Sequence, residues 1–216
     1  MDQSILIELP YLGSLPYYSK LLLHPQIWIE QQEHYSKGSF RNRCHIATAN
    51  GVLALSIPLL KGKHQQAPIR EVAIDNRANW QQQHWRSIKT AYGNSPFFEY
   101  YAPALAQLYQ QPFTHLFDFC WAAQELLLQF LNFSPNLVLT SAYQTVPAAE
   151  VLDFRQQLLP KNYSTYQDKY YHPLPYPQVF EDRQGFLPNL SILDLLFCTG
   201  PEAPAHLMQC IQAGHS

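Results

Sequence analysis

The chain has 216 residues, enough for one domain with a sizeable core. It is 47% hydrophobic and 14% charged, against roughly 25% charge in an average soluble domain. A net charge of -2 and a pI near 6.5 exclude a DNA or membrane surface held by bulk electrostatics, so any anion site must be local.

Fourteen Tyr, twelve Phe and four Trp supply ample aromatic core, and Gln, Asn, Ser, Tyr and His must supply much of the polar surface. The four cysteines, Cys44, Cys120, Cys198 and Cys210, form no C-x-x-C pair and read as buried structural thiols. No basic start precedes an apolar run, and no stretch approaches the ~18 apolar residues of a membrane span. The expectation is a soluble, cytoplasmic protein without a transmembrane segment.

In chain order, Ser4–Leu9 is a short apolar run closed by Pro10 and reads as a buried first strand. Tyr17–Leu23 reads as a helix ended ahead of Pro25, because a residue before proline is pushed from the helical region. Gln26–Gln31 alternates like a second strand, which completes a βαβ unit. Cys44–Ala49 and Val52–Ile57 flank Asn50-Gly51, a hairpin signal that predicts a type I′ turn. After a polar loop over Lys61–Ala67, Ile69–Ile74 reads as another strand.

From Asn79, a predicted N-cap, the period changes to helical, with Trp80, His84, Ile88 and Tyr92 along adjoining parts of one face. Further helices are predicted over Pro96–Gln110, His115–Leu131 and Pro147–Leu159, with a strand at Asn136–Thr140 and a surface loop over Lys161–Pro175. The segment from Tyr176 runs extended into a turn at Arg183-Gln184-Gly185. It then enters a short apolar helix with one acid, Asp194, in its middle. These elements predict an α/β fold: a single domain, 1–216, with an N-terminal βαβ unit, a strand-rich first third and a helix-rich C-terminal part.

The sharpest polar cluster runs from Glu33 to Arg43. Lys37, Arg41 and Arg43 put three of fourteen basic residues within seven positions. They follow the second strand, and ligands of open α/β sheets collect beyond strand carboxyl ends. Arg forks and a Lys point charge suit a phosphate or carboxylate, with Asn42 to orient it; the alternative is a solvated loop. His34 and His84 are the candidates for proton transfer, because imidazole titrates near neutrality. His84, between Trp80 and Trp85, also suits a packed core role.

Glu8, at the end of the first strand, is a candidate general base or anchor for a substrate amine, or else a cap or ion-pair partner. Asp194 must have a partner or a use, since a buried carboxylate is costly; Arg41, Arg43 or a backbone turn are the partners considered. Asn189 is placed to cap the last apolar helix or to offer its amide to a ligand. No H-E-x-x-H, no G-x-S-x-G elbow and no glycine-rich phosphate loop occurs, so no metal site is expected and the cofactor is left unknown.

These residues resemble the WbqC-like family over nearly the whole chain, least across Leu131–Pro173. The resemblance is carried by Tyr17-Tyr18, Tyr35-x-Lys37 with Arg41-Asn42-Arg43, Leu55-Ser56-Ile57-Pro58 and Trp80-x-x-x-His84-Trp85. Ala91-Tyr92 and Ser95-Pro96-Phe97-Phe98 add to it. It closes with Tyr176-x-Gln178-Val179-Phe180 and Gly185-Phe186-x-Pro188-Asn189-Leu190-Ser191-Ile192-Leu193-Asp194-Leu195-Leu196-Phe197. Many members open with Gln-Pro-x-x-Phe-Pro-x-x-Gly-Tyr-Phe. Here Glu8-Leu9-x-x-Leu12-Gly13-x-x-Pro16-Tyr17-Tyr18 stands instead, in the style of a separate branch.

The resemblance implies an aminoacyl (glycine-type) or acyl transferase that modifies an amino sugar in surface-polysaccharide (O-antigen) biosynthesis. The partners implied are a sugar nucleotide or lipid-linked sugar and an activated amino acid, supplied as aminoacyl-tRNA, as a thioester or by adenylation in place. On that reading Lys37, Arg41, Asn42, Arg43, Tyr17, Tyr92, Gln178, Asn189 and Asp194 contact substrate, and His84, His34 and Glu8 serve catalysis. The strand–loop–helix opening is similar to nucleotidyltransferase-like folds, by analogy of fold alone. The alternative is a non-catalytic partner-binding or assembly protein of the same pathway.

Overall fold

A computed structural model describes residues 3–60, 67–145 and 147–214. Four parallel strands form the main sheet: β1 (Ser4–Glu8), β2 (Ile27–Glu30), β5 (Leu137–Leu139) and β6 (Val151–Asp153), in the order β5-β2-β1-β6. The hairpin of β3 (Arg43–Thr48) and β4 (Gly51–Ser56) forms a separate two-stranded sheet. Helix α1 (Leu15–Leu23) links β1 to β2. Three longer helices follow: α2 (Trp80–Tyr92), α3 (Phe98–Gln110) and α4 (Leu116–Phe130). The one-turn α5 (Glu181–Gln184), then α6 (Ile192–Thr199) and α7 (Ala203–Gly214), complete a single mixed α/β domain.

Parallel strands buried on both faces read as continuous apolar runs, and β1 and β2 do so, with Ile5, Ile27 and Ile29 wholly inaccessible. The β1–β2 register sets Ile5 beside Ile27 and Glu8 beside Glu30, so two carboxylates end neighbouring strands. β1 lies in the middle; the chain steps outward through β2 to β5, then returns to lay β6 on the other side of β1. The strand order therefore reverses between β1 and β6, the place where open α/β sheets hold ligands beyond their carboxyl ends.

The aromatic residues gather between the helices and the hairpin. Trp80 packs edge-on to Phe119 at 5.0 Å, and Tyr92 lies 5.1 Å from Phe197. The α2 face of Trp80, His84, Ile88 and Tyr92 is buried, as its helical spacing predicts. Among the described residues, no helix is long and apolar enough to cross a membrane.

Several expectations are corrected. The hairpin closes Thr48 on Gly51 with Ala49-Asn50 at the tip, and only Gly51 takes positive φ, at 105°. A glycine of positive φ following the tip residues replaces the type I′ turn. Ile69–Ile74 is a single 3-10 turn, Ile69–Glu71, followed by isolated bridges of Ala73 to His115 and Ile74 to Leu59.

Pro147–Leu159 is not helical. Its centre, Val151–Asp153, pairs with Ser4–Leu6, because a sheet edge completes hydrogen bonds that a local helical preference could not outweigh. Lys161–Pro175 is no mere surface loop, since Tyr170 and Tyr171 are buried within it. Most of the predicted Lys61–Ala67 loop lies outside the described residues.

Candidate functional site

Beyond the reversal point lies a cleft whose walls come from the ends of β1 and β6 and from one face of α1. Ile7 and Glu8 line it from β1, Phe154 and Leu158 from the chain after β6, and Ser14, Tyr17 and Lys20 from α1 and its cap, with Phe40 and Tyr166 closing it. The Glu8 carboxylate accepts the Gln156 backbone N–H at 3.2 and 3.1 Å. Gln156 takes a φ of 58°, a conformation rare for a residue with a side chain, where the chain turns over the carboxylate. Burial pushes the Glu8 carboxyl above the usual value; Arg41 opposes that shift and Glu33 adds to it.

Arg41 is 1% exposed. Its guanidinium meets Glu33 twice, Nε to Oε1 at 2.5 Å and Nη2 to Oε2 at 2.6 Å. Its Nη1 stands 3.6 Å from Glu8 Oε1, beyond a good hydrogen bond, and has no other partner. Lys20 is just as enclosed: Nζ donates to Asp168 Oδ1 at 2.7 Å, and Phe154, Tyr170 and Tyr171 present their rings to it. Burial lowers the Lys20 pKa, and Asp168 resists that shift. On the next strand Glu30 is held by Thr140 Oγ1 at 2.7 Å and by the Gln32 N–H at 2.8 Å.

Glu33 takes Arg41 and Asp168 takes Lys20 at hydrogen-bond distance, while Glu8 is left with the longer, 3.6 Å ion pair to Arg41. Of the charged residues, Glu8 and Lys20 line the cleft itself.

A second feature singles out this region. Five buried side-chain polar atoms among the described residues lack a partner: Ser14 Oγ, His24 Nε2, Arg41 Nη1, His45 Nδ1 and Gln124 Nε2. Ser14 lines the cleft itself. The other four touch its walls: His24 at Phe154, Arg41 at Glu8, His45 at Phe40 and Gln124 at Tyr17. An orphaned buried group costs about 1–3 kcal/mol, and of the five only Ser14 belongs to a residue that lines the cleft.

The residues singled out in the sequence are placed as follows. Glu8, Arg41 and Tyr17 come together at the cleft, Tyr17 donating to Gln124 Oε1 at 2.8 Å. Arg43 turns away and donates to Ser56 Oγ at 3.0 Å. Asn42 bridges Tyr35 and the Ile57 carbonyl. His34 and Lys37 are exposed on the loop between β2 and β3.

His84 lies in the aromatic core, its Nδ1 2.8 Å from the Tyr11 hydroxyl, which also bonds the Tyr109 hydroxyl. Burial pushes its pKa down to about 4, so the ring is neutral at pH 7. The expected convergence of Lys37, Arg43 and His84 does not appear at the cleft: Lys37 sits on an exposed loop, Arg43 at the start of β3 on Ser56 and His84 on the buried face of α2, and none of them lines it.

Asp194 contacts neither Arg41 nor Arg43. Tyr92 OH, Tyr176 OH and Gln178 Nε2 donate to it at 2.8, 2.7 and 2.8 Å, and it is wholly buried. Burial raises its pKa, against the three hydrogen bonds. Asn189 caps no helix: its amide donates to the Tyr163 and Tyr166 carbonyls, and Ser191 is the N-cap of α6. Ser14, Lys20, Tyr166 and Asp168 escaped the sequence reading. The one signal for the first two was their place directly after a strand that ends in an acid. Cys44, Cys120 and Cys210 are buried free thiols.

The family's sequence model matches residues 8–169 and 160–206 in two overlapping segments, together almost the full length. The chain belongs to the WbqC-like protein family. An uncharacterized protein of Mycobacterium tuberculosis, Rv1507c, is 26% identical over 98% of this chain and 100% of its own length. No solved structure matches.

Proposed function

We propose that the chain is an aminoacyl or acyl transferase whose Glu8 cleft receives the amine that is to be acylated. The amine of an amino sugar in surface-polysaccharide (O-antigen) assembly is the acceptor that the family resemblance suggests. The observation that supports this reading is the Glu8 carboxylate in the cleft wall, whose ion-pair partner Arg41 stands 3.6 Å away and is already doubly bonded to Glu33, while Lys20 is paired with Asp168.

An ammonium entering the cleft meets Glu8, which takes its proton. The freed amine attacks the activated carboxyl of the donor; the amide C–N bond forms as the bond to the leaving group breaks, and the second nitrogen proton departs with the leaving group. A base works best when its pKa approaches the working pH, and burial moves Glu8 in that direction. Arg41, behind Glu8, and Glu33, behind Arg41, hold the carboxylate in place. The donor arrives preactivated, as aminoacyl-tRNA or a thioester, or is adenylated in place.

The test incubates the purified protein with labelled glycine, ATP or charged tRNA, and amino-sugar nucleotides. Label transfer that disappears in Glu8→Gln supports the reading; no transfer and no amine binding across the panel count against it. An assembly role has less behind it. The exposed large apolar side chains Leu53, Leu60, Tyr100, Tyr143 and Met208 sit on separate elements, and scattered exposure of this kind is normal.

A further inference from the structure

The hairpin leaves one strand edge open. The Ile57 N–H donates to the Asn42 carbonyl at 2.8 Å in continuation of the β3–β4 register, so even-numbered residues of β3 bond odd-numbered residues of β4. The odd-numbered residues of β3 point the other way and are used there. The His45 carbonyl accepts the Ser191 N–H at 2.8 Å, and the Ala47 N–H donates to the Tyr92 hydroxyl at 3.0 Å. Val52, Ala54 and Ser56 correspondingly turn their N–H and C=O groups away from β3, to the outer edge of β4. His84 bonds the Ser56 carbonyl. Among the described residues no hydrogen bond reaches the outward groups of Val52 or Ala54, and Leu53 and Ala54 are exposed.

Protein surfaces guard such an edge with Lys, Pro or a bulge. Here Ala49–Leu60 carries no charge, and its one proline, Pro58, lies beyond the strand. The pairing runs without a break from Arg43–Ser56 to Thr48–Gly51, so no bulge bends the edge away. The lack of charge also bears on the partner. In a two-fold pairing identical strands meet, and a charge near the axis would face its own copy; β4 has none to repel.

We propose that β4 is a self-association edge, joining β4 of a second copy of this chain, antiparallel about a two-fold axis at Leu53. Val52 then opposes Ala54 of the second copy, and each such pair exchanges both of its backbone N–H···O bonds. The two Leu53 side chains face one another in the intervening, closer pair. The two hairpins become one continuous sheet. The interface is independent of the amine reading of Glu8.

The experiment measures the molar mass of the full chain by light scattering from about 1 μM to about 1 mM, a range that spans weak and moderate affinities. Wild type, Ala54→Pro and Leu53→Lys are compared, with thermal unfolding of each. Ala54→Pro removes an outward N–H without touching the β3 ladder, and Leu53→Lys sets like charges face to face. The wild type rises from the 25.0 kDa of one chain toward twice that mass, while both variants stay at the mass of one chain with Tm close to wild type. In Leu53→Cys, oxidation with copper phenanthroline links two chains through position 53, because the closer antiparallel pair brings Cα atoms to about 4.5 Å, within disulfide reach. Leu60→Cys, exposed but off the strand, links far less. A wild type of single-chain mass throughout, or a dimer that both variants leave intact, overturns the proposal. Should either variant unfold, the Leu53→Cys link decides, and its absence overturns the proposal as well.

Discussion

Arg41 and Glu33 form a two-pronged ion pair inside the protein, with bonds of 2.5 and 2.6 Å between side chains that solvent hardly reaches. Removing one member of such a pair strands the other, at about 3–5 kcal/mol. Glu33→Ala should therefore lose about that much stability in urea unfolding. The double variant Glu33→Leu with Arg41→Met should recover most of the loss, because no charge is then left behind. A mild effect of Glu33→Ala would show that the pair does not hold the sheet mouth.

Glu8→Gln separates stability from function. The Glu8 carboxyl titrates above its ordinary value of 4.5 when folded, so the folded state binds the proton more tightly than the unfolded one. That contribution is full below about 4.5 and is lost as pH rises through the folded value. The variant should gain stability relative to wild type as pH increases from 4 to 7, while acyl transfer falls by about 10²- to 10⁴-fold. Parallel loss of stability and activity at pH 7 would contradict a strained functional carboxylate.

His45 and His84 act in the opposite sense. Burial pushes both down to about 4, from an ordinary value of 6.5. The unfolded chain takes up protons between 6.5 and 4 while the folded one does not, so stability present above 6.5 drains away as pH falls. Each shift corresponds to roughly 3–4 kcal/mol at most, less where solvent screens the ring. Denaturant midpoints measured from pH 7 to pH 4 should fall less steeply in His84→Gln than in wild type.

Asp194 holds together α2, α6 and the chain from Tyr176 to Leu187, through Tyr92, Tyr176 and Gln178. Asp194→Ala leaves the Tyr92 and Tyr176 hydroxyls without their acceptor, while Gln178 keeps the Leu187 carbonyl, and should cost several kcal/mol, at about 1–3 for each orphaned group. Tyr176→Phe removes the bond donated to Asp194 and the one accepted from Gln178, and should cost about 1–2 kcal/mol. Amine affinity at the cleft, measured well below the lowered Tm, should be unchanged in Tyr176→Phe.

His34→Ala and Lys37→Ala test the basic loop. Both side chains are exposed, and surface changes of this kind usually stay within about 0.5 kcal/mol. Transfer activity should also be retained. A large loss in either would move the site outward from the cleft to the loop.

Apolar runs, helical spacing and the Asn50-Gly51 pair were enough to write β1, α1, β2, the hairpin, α2, α3, α4, β5 and α6 from the sequence, because each is favoured by residues close in the chain. Glu8 stood out for the same reason, as an acid closing an apolar strand. What local pattern could not reveal is the pairing of Val151–Asp153 with β1, across nearly 150 residues, which turns an expected helix into the strand that completes the cleft.

The partners of the charged groups were equally hidden. Arg41 found Glu33, Lys20 found Asp168 and Asp194 found two tyrosines and a glutamine, by proximity that only the folded chain creates. Ser14 shows the limit most plainly. It is the N-cap of α1, yet Pro16 and the Tyr17 amide leave its buried hydroxyl without a partner, and no local pattern announced that. Short-range propensity thus determined which elements form, and the closing of the sheet decided which charges were paired and how closely.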